Sequence, residues 1–187
     1  MTTIAGIDYS LTSPAICICQ DAEEFHISNC LFFYLTSMKK YELGTDRYRG
    51  MLFPDYEGDV ERYNNISQWT LTLLDHYDVE HVFIEGYSMG SKGRVFNIAE
   101  NTALLKYKLW LQDYPTHIYP PTVIKKFATG KGNANKELMQ DEFIAETGYN
   151  LKQMLGQSEK QWNPSSDIID AYWIAKLGSN DLKVGNI

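Results

Sequence analysis

Residues 4–10 read Ile-Ala-Gly-Ile-Asp-Tyr-Ser, an apolar run that ends in an acid and then becomes polar. This pattern predicts a buried strand that ends at Asp8. Segment 82–85, Val-Phe-Ile-Glu, repeats it. Asp167 and Asp170 begin a segment with helical spacing, and residues three apart share one face of a helix. The sequence therefore predicts four carboxylates meeting where two neighbouring strands end opposite a helix: Asp8, Glu85, Asp167 and Asp170.

This predicted cluster has a chemical consequence. Four carboxylates in one place cannot all stay ionised unless cations accompany them. Hard divalent ions such as Mg²⁺ prefer all-oxygen ligands and often share their remaining positions with a phosphate. The pattern predicts metal-dependent chemistry on a phosphodiester.

Composition places the chain among globular proteins. It has 187 residues, of which 44% are hydrophobic and 22% charged, and this length suits one domain. No apolar stretch approaches the roughly 18 to 20 residues that span a bilayer. The N-terminus lacks a signal-peptide pattern, so we expect a cytoplasmic protein with no membrane partner. Three cysteines lie in apolar runs, which predicts buried free thiols: Cys17, Cys19 and Cys30.

Charge is unevenly distributed along the chain. The net charge is −7, but residues 85–136 hold eight Lys or Arg against three Asp or Glu. That segment carries +5 and the remainder −12. A basic segment beside an acidic metal site is typical of a protein whose lysines bind a polyanion and whose metal ions cleave it. The alternative interpretation is that these lysines simply lie on a solvated helix face and in loops.

The order of predicted elements defines the fold class. Strands at 3–9, 14–20 and 25–35 form an antiparallel meander, and 36–56 is predicted as an irregular excursion or lid. The remaining elements are helix 59–77, strand 79–86, a glycine-rich loop at 86–93, helix 95–112, strand 116–119, a helical turn at 122–127, helix 135–147, a polar stretch at 148–164 and a helix from Ser165 to about Gly178. We predict one α/β domain over 1–187, with a mixed five-stranded sheet (three antiparallel strands, then parallel strands) and helices on both faces.

This arrangement resembles the RNase H-like nuclease superfamily, and within it the RuvC-type Holliday junction resolvases. The most specific match is 121–136, where proline, valine and lysine precede Gly-Lys-Gly-Asn-Ala-Asn-Lys. The other matching stretches are Gly6-Ile7-Asp8-Tyr9-Ser10, Phe83-Ile84-Glu85-Gly86 and Ser166-Asp167-Ile168-Ile169-Asp170-Ala171. Most of the chain is covered, except 36–56 and 148–164.

The resemblance implies an endodeoxyribonuclease that uses two Mg²⁺ ions, with Mn²⁺ as a substitute, and leaves 5′-phosphate and 3′-hydroxyl ends. It implies that Asp8 bridges both ions, with Glu85 and Asp167 on one and Asp170 on the other. Lys136 matches the family lysine near the scissile phosphate. The implied substrate is branched DNA, specifically a four-way junction, and the implied assembly is a homodimer. The residues expected to contact DNA are Tyr87, Lys92, Arg94, Lys125, Lys126, Lys131 and Lys136.

Two features leave the substrate and the dimer open. In the family, the loop after the second acid can carry an aromatic wedge, but Ser88 stands at that position here. Tyr87 or Phe96 is a possible replacement, although Phe96 also suits a core. Helix 95–112 is the natural dimer element, yet its apolar residues Ile98, Leu105, Leu109 and Trp110 could equally face the sheet.

Other functions remain in competition. A related nuclease could act on flap DNA, an RNA precursor or an RNA–DNA hybrid. Gly6-Ile7-Asp8 with Ser10 and Thr12 superficially fits an actin or sugar-kinase type ATPase, but this chain is short for the two domains that such enzymes need. A catalytically silent DNA-binding module is disfavoured because all four acids are present.

Overall fold

The computed structural model describes residues 1–87 and 95–187. Its strands form one mixed sheet in the order β4-β3-β2-β1-β5-β6. β1 pairs antiparallel with β2, and β2 antiparallel with β3, whereas β1–β5, β5–β6 and β3–β4 are parallel pairs. The strand bounds are β1 Ile4–Asp8, β2 Ala15–Cys19, β3 Cys30–Thr36, β4 Tyr48–Leu52, β5 His81–Glu85 and β6 Thr116–Tyr119.

The predicted fold class is confirmed, but the sheet has six strands in the described residues instead of five. The extra strand, β4, lies inside the segment 36–56 that the sequence predicted to be irregular. It pairs with β3 at the sheet edge, with Tyr48 opposite Phe32 and their rings stacked 5.0 Å apart. The segment therefore extends the sheet and is not a detached lid.

Helices cover both faces of this sheet, as predicted. Side chains alternate along each strand, so Ile4 of β1 joins one core while Ala5 joins the other. α6 packs in the first core, and α1 and α2 pack in the second. The helix bounds are α1 Asp59–His76, α2 Val95–Leu111, α3 Pro121–Thr129, α4 Lys136–Thr147, α5 Leu151–Met154 and α6 Ser165–Val184.

Three local predictions need correction. The helical turn predicted at 122–127 is the longer helix α3, and the polar stretch 148–164 contains the short helix α5. α6 has Pro164 as its N-cap, with no side-chain capping bond, and it continues past Gly178 to Val184. Gly178 lies inside the helix, where the missing side chain allows α6 to pack closely on β5. A Cβ there would lie 2.4 Å from the Phe83 ring.

α6 lies unusually close to the centre of the sheet. A Cβ on Gly6 of β1 would lie 2.3 Å from the backbone nitrogen of Ala175 and 2.5 Å from the carbonyl oxygen of Ala171. Glycine at this strand position therefore permits direct contact between the helix backbone and β1. This contact fixes the start of α6 beside the ends of β1 and β5.

Two further expectations concern burial. Cys17, Cys19 and Cys30 are buried free thiols, as predicted. Within the described residues no helix is long and apolar enough to cross a membrane.

Candidate active site

The four predicted acids converge in the structure. Asp8 and Glu85 end the adjacent parallel strands β1 and β5, and strand alternation places both on the face that α6 covers. Asp167 and Asp170 come from the first turns of α6. Asp8 and Asp167 are nearly inaccessible to solvent, with 9% and 7% of their surface exposed. The group is called the acid cluster below.

Burial raises the pKa of every carboxyl in the acid cluster, and repulsion between the acids adds to this for Asp8, Glu85 and Asp170. Burial raises the pKa of Asp8 well above its ordinary value, and the charges of Asp167, Glu85 and Asp170 raise it further. The pKa of Glu85 is raised by burial, against the opposing charge of Lys125. Burial raises the pKa of Asp167 to about 6 and, together with Glu85 and Asp167, that of Asp170 to about 8. The cluster holds more negative charge than its surroundings balance.

Protons partly compensate this charge. The raised pKa values of Asp8 and Asp170 favour their protonated forms, which lowers the negative charge of the acid cluster. No group of three His, Cys, Asp or Glu side chains among residues 1–87 and 95–187 is already arranged to hold a metal ion. The donor set nevertheless fits a hard divalent cation, because four desolvated carboxylates offer only oxygen ligands and lack counter-charge. The four acids are the residues that could hold such an ion.

A hydrogen-bonded chain connects Asp167 to Lys136. Ser13 Oγ donates to Asp167 Oδ2 at 2.6 Å and accepts from Asn163 Nδ2 at 2.7 Å. Asn163 Oδ1 in turn accepts from Lys136 Nζ at 3.4 Å and from Ser166 Oγ at 3.2 Å. The hydrogen bond from Ser13 lowers the pKa of Asp167 and so opposes burial. Ser13 and Asn163 therefore fix the position of the Lys136 ammonium relative to the Asp167 carboxylate.

Sequence reasoning missed Ser13 and Asn163. Ser13 belongs to the turn after β1, and Asn163 lies in the stretch 148–164 that matched no motif. Neither position has a local pattern that indicates its partner 150 residues away. Ser166, which precedes Asp167 in one of the matching stretches, also contacts the lysine, since its Oγ accepts from Lys136 Nζ at 3.3 Å.

The predicted lysines fall into two groups. Lys136 and Lys125 both lie near enough to lower the pKa of Asp170 by their positive charge, and Lys125 does the same for Glu85. Lys126 is exposed on α3, and Lys131 is exposed in the turn that follows it. Neither of these two contacts the acid cluster in the part of the chain that the structure describes.

The predicted contacts beyond Glu85 are only partly described. Lys92 and Arg94 lie outside the described residues, as does Ser88 at the wedge position. Tyr87 is 46% exposed, its hydroxyl donates to the Ala99 carbonyl at 3.3 Å, and Lys106 Nζ lies 4.9 Å from its ring centroid.

α2 presents two distinct faces. Leu105 and Leu109 are fully buried in the core beneath the sheet, so these two do not form an outer surface. Trp110 is 71% exposed and Phe96 is 81% exposed, which excludes Phe96 from the core. Ile98 is half-buried and lines a cavity.

Two cavities flank the acid cluster. The first, of about 280 Å³, is lined by both strand-end acids and by Tyr87. The second, of about 450 Å³, includes Ser13 and Lys136. Thr12 lines both cavities, so they adjoin at the turn after β1. An extended polymer could lie across the acids from one to the other.

The mixed α/β sheet, with acids at the ends of two adjacent strands and on the helix that packs against them, has the same fold as RuvC. Thermus thermophilus RuvC superposes with a TM-score of 0.63 at 18% identity, covering 98% of this chain and 97% of RuvC. RuvC in complex with a Holliday junction substrate gives the same TM-score at 15% identity, covering 99% and 97%.

A eukaryotic protein shows the same likeness. The yeast mitochondrial Holliday junction resolvase Ydc2 superposes with a TM-score of 0.58 at 15% identity, covering 98% of this chain and 81% of Ydc2. Sequence comparison finds no matching family model and no matching curated protein. The predicted resemblance to RuvC-type proteins is therefore confirmed in the fold.

Proposed function

We propose that this chain is a metal-dependent endonuclease that resolves four-way DNA junctions, giving 5′-phosphate and 3′-hydroxyl ends. The observation that carries the proposal is the acid cluster with Lys136 and Lys125 beside it, on a fold shared with Holliday junction resolvases. Charge supports a DNA substrate, because segment 85–136 is net positive although the chain is net negative.

The four acids would hold two Mg²⁺ or Mn²⁺ ions. Such a pair supplies an activated water and stabilises the leaving oxygen of an in-line displacement. The protein side chains hold the negative charge that attracts the ions, and their raised pKa values mean that ion binding displaces protons. The charges of all three other acids raise the pKa of Asp8, so Asp8 lies near each of them. We therefore propose Asp8 as the ligand that both ions would share.

The two lysines have separate tasks in this proposal. Lys136 is tied through Asn163 and Ser13 to Asp167, so its ammonium stays beside the reacting phosphate and offsets charge in the transition state. Lys125, on α3 beside Glu85, holds a neighbouring backbone phosphate. The exposed Lys126 and Lys131 extend this positive surface along the DNA. Lys92 and Arg94, which lie outside the described residues, are proposed to contact the DNA as well.

Resolution of a junction needs two cuts related by symmetry, which a homodimer provides. The exposed aromatic residues of α2 support dimerisation through this helix. Tyr107 is 56% exposed, and its ring stacks on that of Trp110 at 6.2 Å. Leu111 and Phe96 add further exposed apolar surface.

The decisive experiment compares cleavage of several labelled nucleic acids. Four-way junction, flap, duplex, single-stranded DNA and RNA–DNA hybrid are each incubated with the wild-type protein in Mg²⁺ or Mn²⁺. We expect paired, symmetric cuts confined to the junction. Asp8→Asn should abolish them, whereas Asp141→Asn, which alters an exposed acid on α4, should leave them unchanged.

Other outcomes would redirect the proposal. Cleavage of flaps or hybrids with the junction left intact would retain the nuclease chemistry but change the substrate. Equal cleavage by Asp8→Asn and wild type would remove the acid cluster from the reaction.

A further inference from the structure

The cavity of about 450 Å³ beside the acid cluster is called the side groove. One wall comes from the end of β3 and the turn that follows it, and the other from the segment just before α6. Its floor comes from the turn after β1. The residues that line it are Thr12, Ser13, Thr36, Ser37, Met38, Tyr41, Lys136, Gln161, Trp162, Asn163 and Pro164.

The side groove begins at the acid cluster itself. Ser13, which lines it, contacts Asp167 directly with an Oγ–Oδ2 distance of 2.6 Å. Lys136 also lines it and stands close enough to Asp170 to lower the pKa of that carboxyl. A DNA strand with one phosphate at the acids would therefore place an adjoining nucleotide in the side groove.

The two walls are held at a fixed distance. Tyr41 OH donates to Gln161 Oε1 at 2.9 Å, and Lys40 Nζ donates to the same oxygen at 3.4 Å. Lys152 Nζ lies 3.4 Å from the centroid of the Trp162 ring and donates to the Glu159 carbonyl at 2.7 Å. These contacts order an amide and an indole before any ligand binds, which lowers the entropic cost of binding.

The lining has the chemistry of a nucleotide site. It offers hydroxyl and amide groups for a base edge, the indole ring of Trp162 for stacking and one lysine for a phosphate, whereas Tyr41 is buried. It contains no carboxylate, whereas the cavity at Asp8 and Glu85 contains two. Its volume lies in the range of about 300 to 1,000 Å³ that is common for small-ligand sites.

Gln161 is the residue best placed to distinguish bases. Its Oε1 is occupied by Tyr41 and Lys40. Its Nε2 has no partner in the part of the chain that the structure describes, so it remains a hydrogen-bond donor for a base. Ser37, exposed on the facing wall, is a second group for the same base.

We propose that the side groove binds the nucleotide next to the scissile phosphate and reads its base through Gln161 and Ser37, with Trp162 as a stacking surface. This inference rests on the proposed nuclease function. It also gives the segment 36–56 a role, since the first residues of that segment form one wall.

The test measures base preference. A set of four-way junctions carries each of the four bases at each position flanking the cleaved bond, and kcat/KM is determined for each junction. We expect the wild-type protein to prefer certain bases at one flanking position. Gln161→Ala should remove most of that preference and lower kcat/KM for the best base about tenfold, while kcat changes little.

Two other variants sharpen the result. Ser37→Ala alters an exposed side chain whose loss should not affect folding, and it should weaken the preference at the same position as Gln161→Ala. Gln153→Ala removes the same type of side chain from a neighbouring surface outside the side groove, and its base preference should equal that of wild type.

The outcomes separate this inference from the proposed function. If wild type cuts junctions without a base preference, the side groove does not read the base. The same conclusion follows if Gln161→Ala and Ser37→Ala both keep the wild-type base preference. In either case the proposed nuclease function stands. If wild type cuts no nucleic acid, the proposed function fails and this inference fails with it.

Discussion

At the scale of single residues, the unusual property of this site is a set of acids whose pKa values are raised by burial. The clearest case is Asp170, whose pKa is raised from 3.8 to about 8. The folded protein therefore binds a proton that the unfolded chain releases at much lower pH. The resulting stabilisation is complete below the unfolded-state pKa and is lost as pH rises through the folded-state value.

The first prediction is that the metal-free protein loses stability between pH 5 and pH 8. We expect the free energy of unfolding in urea and a chelator to fall by roughly 1 to 3 kcal/mol across this range. Asp170→Asn should flatten the dependence, since the amide does not titrate. The matched variant Asp141→Asn should follow wild type. Equal slopes for wild type and Asp170→Asn would show that this carboxyl does not carry the effect.

The second prediction concerns the hydroxyl that links the acids to the lysine. Ser13→Ala removes the donor to Asp167 and the acceptor for Asn163, so both lose an ordering contact. We expect junction cleavage to slow about 10- to 100-fold, with weaker Mn²⁺ binding by titration. Ser13→Thr keeps the hydroxyl and should retain most of the cleavage rate and most of the Mn²⁺ affinity. Full activity in Ser13→Ala would mean that Asp167 needs no such support.

Residues at the site differ in how far the sequence could predict them. Asp8 and Glu85 each end an apolar strand, and Asp167 and Asp170 lie near the start of a segment with helical spacing, so local pattern places all four. Asn163 has no such pattern, since its importance comes from contacts with Ser13 and Lys136 that exist only after folding. Local sequence indicates where a strand ends, but not which distant loop packs against it.

At the scale of elements, close packing of α6 on the sheet aligns the acids. Gly6 allows the helix backbone to touch β1, and the small residues Ala171 and Ala175 form the other side of that contact. The strand β4 shows the limit of sequence patterns at this scale. It is the short edge strand Tyr48–Leu52, of which three residues are exposed, so it lacks the long apolar run that identifies a central strand.

The third prediction tests the alignment. Gly6→Ala places a Cβ against backbone atoms of α6, which cannot move as a single side chain could. We expect the free energy of unfolding to fall by about 1 to 3 kcal/mol or more, together with reduced cleavage because α6 carries two of the acids. Gly44→Ala, where a Cβ would meet no atom within 4 Å, is the control. Equal stability of the two variants would contradict direct helix–strand contact.

At the scale of the whole molecule, positive charge and exposed aromatic residues are concentrated in one segment of a chain that is otherwise acidic. Residues 85–136 carry the net positive charge and also include α2, with its exposed aromatics. Phe96 and Tyr107 are 11 positions apart, which is close to three helical turns, and so lie on one face of α2. Trp110, one turn beyond Tyr107, continues that face, which is the surface through which we propose that a second copy binds.

The last prediction is that Trp110 is needed for dimerisation. Light scattering should give wild type a mass near twice the 21.5 kDa of one chain, and Trp110→Lys a mass near that of one chain. Because Trp110 is largely exposed, its replacement should change the free energy of unfolding of the monomer by no more than about 0.5 kcal/mol. Met154→Lys, an exposed site on α5, should remain dimeric.

A monomeric variant that retains the acid cluster should make single, unpaired nicks in junctions, since coordinated cutting requires two sites on one substrate. A wild-type protein with the mass of one chain would reject this assembly, and paired cuts by monomeric Trp110→Lys would show that resolution does not depend on it.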